Sequence, residues 1–95
     1  MIVVKVALNG ITVDGHAGYA EPGKDIVCAG VSVLTQNLIN SMEALAEDKI
    51  SYKVAPAQIH INYEDLSERS KLLVDSFLIG ISEIQRAYPE YVQII

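Results

Sequence analysis

The stretch Ile2-Val3-Val4-Lys5-Val6-Ala7-Leu8-Asn9-Gly10-Ile11-Thr12-Val13-Asp14 decides how the chain begins to fold. Ile2, Val4, Val6 and Leu8 alternate with Val3, Lys5, Ala7 and Asn9, the period of a strand with one apolar face. Asn9-Gly10 is a pair that tolerates positive φ at both centres of a two-residue type I′ hairpin turn. On that turn Leu8 faces Ile11, Val6 faces Val13 and Lys5 faces Asp14. One face is then apolar and the other carries an opposite-charge pair, so alternation and turn agree on one register. The same register leaves His16 near Val3, on the polar face at the end of the second strand.

Beyond the hairpin the pattern lapses from Ala17 to Lys24, where Gly18, Pro22 and Gly23 fall within eight residues. This segment reads as a flexible loop. Asp25 reads as the N-cap of a helix running to about Met42 or Glu47. Val27, Val31, Leu34, Leu38, Met42 and Leu45 form its buried stripe, and Ile26, Ala29, Gly30 and Val33 widen it. A helix with apolar surface on more than one side packs against a sheet and against something else as well. Ile50–Ala55 and Gln58–Tyr63 read as two further strands, with Pro56 near their connection. Asp65-Leu66-Ser67-Glu68 fits a loose capping box for a second helix. That helix carries Leu73, Phe77, Ile81, Ile84 and Tyr88 on one stripe and stops before Pro89. Gly80 inside it costs helix propensity, which points to a close contact there. Tyr88 and Tyr91 read as packing residues at the chain end, and Tyr91–Ile95 as a short strand or ordered tail. The expected fold is α+β and two-layered, in the order ββαββα with or without a final β. Two helices lie on one face of a mostly antiparallel sheet of four or five strands.

Ninety-five residues suit one domain spanning the chain. Apolar types make up 51% of it and charged types 20%, which excludes intrinsic disorder. Twelve acids against seven Lys and Arg give a net charge of −5 with no basic block. Direct nucleic-acid binding relies on clustered Lys and Arg and is not expected. No apolar run approaches the roughly 18 residues of a membrane span, and Met1–Leu8 lacks the apolar core of a signal peptide. A single cysteine excludes an internal disulfide and points to a reducing cytoplasm. No metal or cofactor is expected. Two His and one Cys lack CxxC or HxxxH spacing, and the glycines match neither GxxxxGK[ST] nor GxGxxG. Glu43, Glu47 and Asp48 read as a solvated acidic helix end. His60, between Ile59 and Ile61, reads as a surface or interface residue.

Cys28 stands at about the third position of the first helix, where free backbone N–H groups and the helix dipole favour an anion. His16, twelve residues upstream, leaves a strand just before a loop that can fold back. A His within reach of a Cys serves as base and then as general acid. Asp25 on the Cys28 amide would define the helix start, and Ser32 lies one turn below Cys28, close enough for a hydrogen bond. Gly15 and Gly18 bracket the His with positions that permit unusual backbone angles. A bland reading competes: Cys28 is a small core residue, His16 is solvated, and the strand end must twist or Gly15 must bulge before the pair meets.

At these residues a resemblance becomes specific. Gly15-His16-Ala17, a short glycine-bearing loop, and Gly23-Lys24-Asp25-Ile26-Val27-Cys28-Ala29-Gly30-Val31-Ser32 resemble the signature of the ribosomal-processing cysteine protease Prp family. Length, element order and the early strand pair extend the likeness over the whole chain, loosely outside residues 15–32. The resemblance implies an endopeptidase that removes the N-terminal extension of large-subunit ribosomal protein twenty-seven. Such an extension typically ends in an aromatic-rich stretch. By position, Cys28 is the nucleophile and His16 its base, with Gly15, Asp25 and Ser32 supporting them. Ala17, Gly18, Tyr19, Ala20, Glu21, Pro22, Gly23 and Lys24 form the flexible substrate loop, in which Tyr19-Ala20-Glu21-Pro22 departs from the family pattern. The resemblance also implies a homodimer with a ribosomal protein precursor as substrate. The alternative is a non-catalytic homodimeric module that binds a basic ribosomal partner and buries an inert Cys28.

Overall fold

The computed structural model describes all 95 residues. Five strands and two main helices follow in the order β1 (Ile2–Ala7), β2 (Gly10–Asp14), α1 (Ile26–Ser41), β3 (Ser51–Ala55), β4 (Gln58–Asn62), α2 (Glu68–Ala87) and β5 (Val92–Ile94). One sheet contains all five strands in the order β3-β4-β2-β1-β5. Every pairing is antiparallel except that of β5 with β1, so the final strand exists and makes the sheet mixed.

The hairpin turns one residue earlier than Asn9-Gly10. Ala7 faces Gly10, Val6 faces Ile11, Val4 faces Val13 and Val3 faces Asp14, which leaves Leu8-Asn9 as the turn. The expected pairs of Leu8 with Ile11, Val6 with Val13 and Lys5 with Asp14 are therefore displaced by two residues. A shift of two keeps every side chain on its expected face, which is why alternation could not detect it. The cause lies outside the hairpin. Gly10 is drawn into the ladder opposite Asn62 of β4, at negative φ, and a Cβ there would stand 2.6 Å from the Ile61 carbonyl oxygen. Its glycine is needed for close approach and not for the turn.

Ile2, Val4, Ile11, Val13, Ile59 and Ile61 point from the sheet into a core of 17 buried residues shared with both helices. From α1 come Val27, Val31, Leu38 and Ile39, and from α2 Val74, Phe77 and Ile81. Each fully buried Ile or Val in this set contributes roughly 1.5–3 kcal/mol relative to exposure. Thr35, also buried, satisfies its hydroxyl by donating to the Val31 carbonyl at 2.7 Å. After Ser41 the helix widens into a π-turn over Met42–Ala46, which carries Leu45 off the expected stripe and leaves it 60% exposed. Gly80 meets Leu34 of α1 as expected: a Cβ there would lie 3.0 Å from Leu34 Cδ1.

The second helix is capped by Ser67, whose Oγ accepts from the Ser70 amide at 3.3 Å, and not by a box beginning at Asp65. Asp48 is not a solvated end residue: its Oδ2 accepts from the amide and the hydroxyl of Ser67 at 3.0 and 2.8 Å. The nearby Ser70 hydroxyl and these two Ser67 groups hold the Asp48 carboxyl below the usual carboxylate range. Only the Ser67 contacts have hydrogen-bond geometry, and the buried Ser70 Oγ makes no bond of its own. On the open face of the sheet, His60 Nε2 lies 2.8 Å from Asp14 Oδ1. That contact gives Asp14 a partner other than Lys5, which faces Thr12.

Candidate active site

Gly15 resolves how His16 leaves the polar face. Its amide donates to the Ala57 carbonyl at 2.8 Å, closing β2 against the β3–β4 turn, and its φ of +100° then turns the chain off the sheet. Only glycine fits, because a Cβ would stand 2.3 Å from the Met1 carbonyl oxygen. The chain next buries Ala17 in the core and brings the Ala17 amide to Cys28 Sγ, donating at 3.2 Å.

Asp25 joins the other end of the loop to the same helix start. Its Oδ1 accepts from the Cys28 amide at 2.9 Å, the expected N-cap bond, and its Oδ2 accepts from the amides of Tyr19 and Ala20 at 3.0 and 3.3 Å. The Cys28 amide, with those of Ala20 and Tyr19 adding to it against a desolvation cost, holds this carboxyl below the usual range. A single carboxylate thus ties the loop to the residue that carries the thiol. The segment expected to be a flexible loop has fixed contacts at Ala17, Tyr19 and Ala20, and a further turn where the Lys24 amide donates to the Glu21 carbonyl at 3.0 Å. The Lys24–Glu21 ion pair at 3.1 Å is exposed on both sides and adds little stability.

Cys28 is a free, half-buried thiol at the meeting of two clefts. One, of about 600 Å³, is walled by the loop through Gly18, Ala20, Pro22, Gly23 and Lys24, and by α1 through Ile26, Ala29 and Ser32. The second, of about 270 Å³, runs between Val31, Ser32 and Gln36 of α1 and the β3–β4 turn at Val54, Ala55, Ala57 and Gln58. His16, Cys28 and Ser32 line both clefts. No hydrogen bond joins His16 or Ser32 to the thiol, whose partner is the Ala17 amide. The expected Ser32–Cys28 bond is therefore absent, although Ser32 shares the pocket as its helical spacing requires. An acid–base bond that is long in a free enzyme commonly tightens with substrate. Sequence reasoning missed the Ala17 amide and the second cleft. A backbone donor leaves no side-chain signal, and the β3–β4 turn reaches the site only through the sheet.

Residues 1–93 match the family described as Cysteine protease Prp. The chain belongs to that family. It is 28% identical to the ribosomal processing cysteine protease Prp of Staphylococcus aureus, with 99% of this chain and 97% of the relative covered. It is 24% identical to the Prp of Bacillus subtilis, over 84% of this chain and 78% of that protein. The crystal structure of S. aureus Prp with a covalently linked product peptide superposes with a TM-score of 0.93 at 25% identity, covering 99% of this chain and 97% of that one. Like other Prp proteins, this chain is a cysteine protease with an α+β fold. Membership in the Prp family sets aside the non-catalytic alternative.

Proposed function

We propose that the chain, acting as one catalytic unit over residues 1–95, removes the N-terminal extension of large-subunit ribosomal protein twenty-seven in a reducing cytoplasm. The observation that carries this reading is the open thiol of Cys28 at a capped helix start, sharing both clefts with His16. The S. aureus relative is named for ribosomal processing and has been crystallised with a substrate peptide, which supports a peptide in the corresponding groove here.

In the proposed mechanism His16 takes the Cys28 thiol proton, and Cys28 Sγ, as thiolate, attacks the scissile carbonyl carbon, forming an S–C bond and an oxyanion. The Ala17 amide, donating to the sulfur, stabilises the thiolate, and backbone N–H groups near the helix start stabilise the oxyanion, the Cys28 amide being already engaged by Asp25. His16 gives a proton to the leaving amine as the C–N bond breaks. It then takes a proton from water, which attacks the thioester and frees the acid product and the thiol. Asp25, Gly15 and Ser32 support the site through the helix cap, the chain reversal and the pocket wall. We also propose a homodimer: Ile26, Ala29 and Val33 form an exposed apolar stripe on α1, with Ile26 57% and Val33 67% exposed.

The test is co-expression with the host's ribosomal protein twenty-seven precursor, read by intact mass, with Cys28→Ala alongside. Wild type removes the extension once and the variant leaves it intact. Equal cutting by both would remove Cys28 from the mechanism, and an uncut precursor with wild type would remove the substrate.

A further inference from the structure

Tyr19 carries the loop to the far end of the chain. Its ring meets those of Tyr88 and Tyr91 edge to face, with centroids 5.3 Å apart in both pairs and interplanar angles of 79° and 83°. Tyr88 is the C-cap of α2, and the Tyr91 amide donates to its carbonyl at 3.0 Å. The Tyr91 carbonyl accepts from the Ile2 amide at 2.9 Å, so both rings stand on a turn anchored to the central sheet. The loop is held at the Tyr19 and Ala20 amides by Asp25, but its glycines are unpacked. Gly18 and Gly23 have φ of +71° and +88°, and beyond their immediate chain neighbours neither has an atom within 4 Å of where a Cβ would stand. Two unpacked glycines with positive φ bound the segment between them, positions where the backbone is freest to pivot. That segment walls the larger cleft at Cys28. Tyr19 lies inside the hinges and Ala17 lies outside them.

We infer that Tyr88 and Tyr91 are positioning residues for the cleavage reaction, gripping Tyr19 to hold the hinged loop against the Cys28 cleft. This rests on the reading of that cleft as the proteolytic site. Edge-to-face contact needs the rings and not the hydroxyls. Because the Ala17 amide precedes the first hinge, releasing the latch loosens the wall of the cleft and leaves the donor at the sulfur in place.

Two readouts test the latch on the full chain: the rate of Cys28 alkylation by iodoacetamide, and kcat and KM on a peptide of the ribosomal precursor's extension. Tyr88→Leu is expected to raise the alkylation rate between about threefold and tenfold, the range set by losing one aromatic pair. It should raise KM by a similar factor and change kcat less. Tyr88→Phe restores wild-type values of both, and adding Tyr88→Leu to Tyr19→Leu gives no increase beyond Tyr19→Leu alone. Tyr19 is 41% exposed, so Tyr19→Leu reports on the latch even where a change at Tyr88 disturbs folding. Unchanged alkylation in a folded Tyr19→Leu chain would overturn the inference, as would a Phe variant that behaves like Leu. Alkylation requires no substrate. A chain that cuts no peptide would remove the proposed substrate while the latch is still measured.

Discussion

At Gly15 one missing Cβ decides where an imidazole goes. The residue combines a φ of +100° with a Met1 carbonyl oxygen that a Cβ would meet at 2.3 Å, and the atoms in the way are backbone, not the end of a flexible side chain. Gly15→Ala is expected to cost more than about 2 kcal/mol and to displace His16, read as a lower urea midpoint together with lost cleavage. Asp25 acts in a different way, through its charge. Its carboxyl is lowered chiefly by the Cys28 amide, so the folded state favours the ionised form. That stabilisation is fully present above the ordinary carboxylate value of about 3.9, and it is lost as pH falls through the lower folded value. The amide resonances of Cys28, Ala20 and Tyr19 should therefore move together in one titration centred below that value. A midpoint at or above it would refute the clamp.

At the scale of elements, the helix layer depends on how closely α1 and α2 approach. Leu34 fills the space that Gly80 leaves free, with a Cβ-to-Cδ1 distance of 3.0 Å. Gly80→Leu should force the helices apart at a cost of about 1–3 kcal/mol, visible in chemical denaturation. Gly30 provides the contrast, since a Cβ there meets only the end of the Ile84 side chain at 3.3 Å. The first helix was legible from Asp25 onward because cap and periodicity are local signals. The π-turn over Met42–Ala46 was not, and it alone accounts for Leu45 on the surface.

For the whole molecule, the mixed sheet brings the two chain ends beside one another. The pairing of β5 with β1 places Tyr91 next to Ile2, and so puts the C-terminal turn within reach of the loop from residues 17–24. The proposed dimer belongs to this scale. Val33 is 67% exposed and takes no part in the core, so Val33→Glu should leave the fold intact and convert the dimer to a monomer in sedimentation velocity. A wild type that sediments as a monomer at all concentrations would dispose of the dimer.

The linear sequence determined what depends on neighbours a few residues apart. Strand alternation, the Asp25 cap on Cys28 and the stop before Pro89 all arise from short-range geometry. Tertiary structure decided whatever needed two distant segments at once. The hairpin register followed Gly10 into the ladder with β4, and Asp14 found His60, 46 residues away. Asp48 capped its distant neighbour Ser67 in place of facing water. His16 crossed to the helix side because Gly15 met Met1 and Ala57, and Tyr19 met two rings from the other end of the chain. A local pattern specifies which face a side chain takes, whereas its partner depends on chain reversals whose energies come from contacts the pattern does not contain.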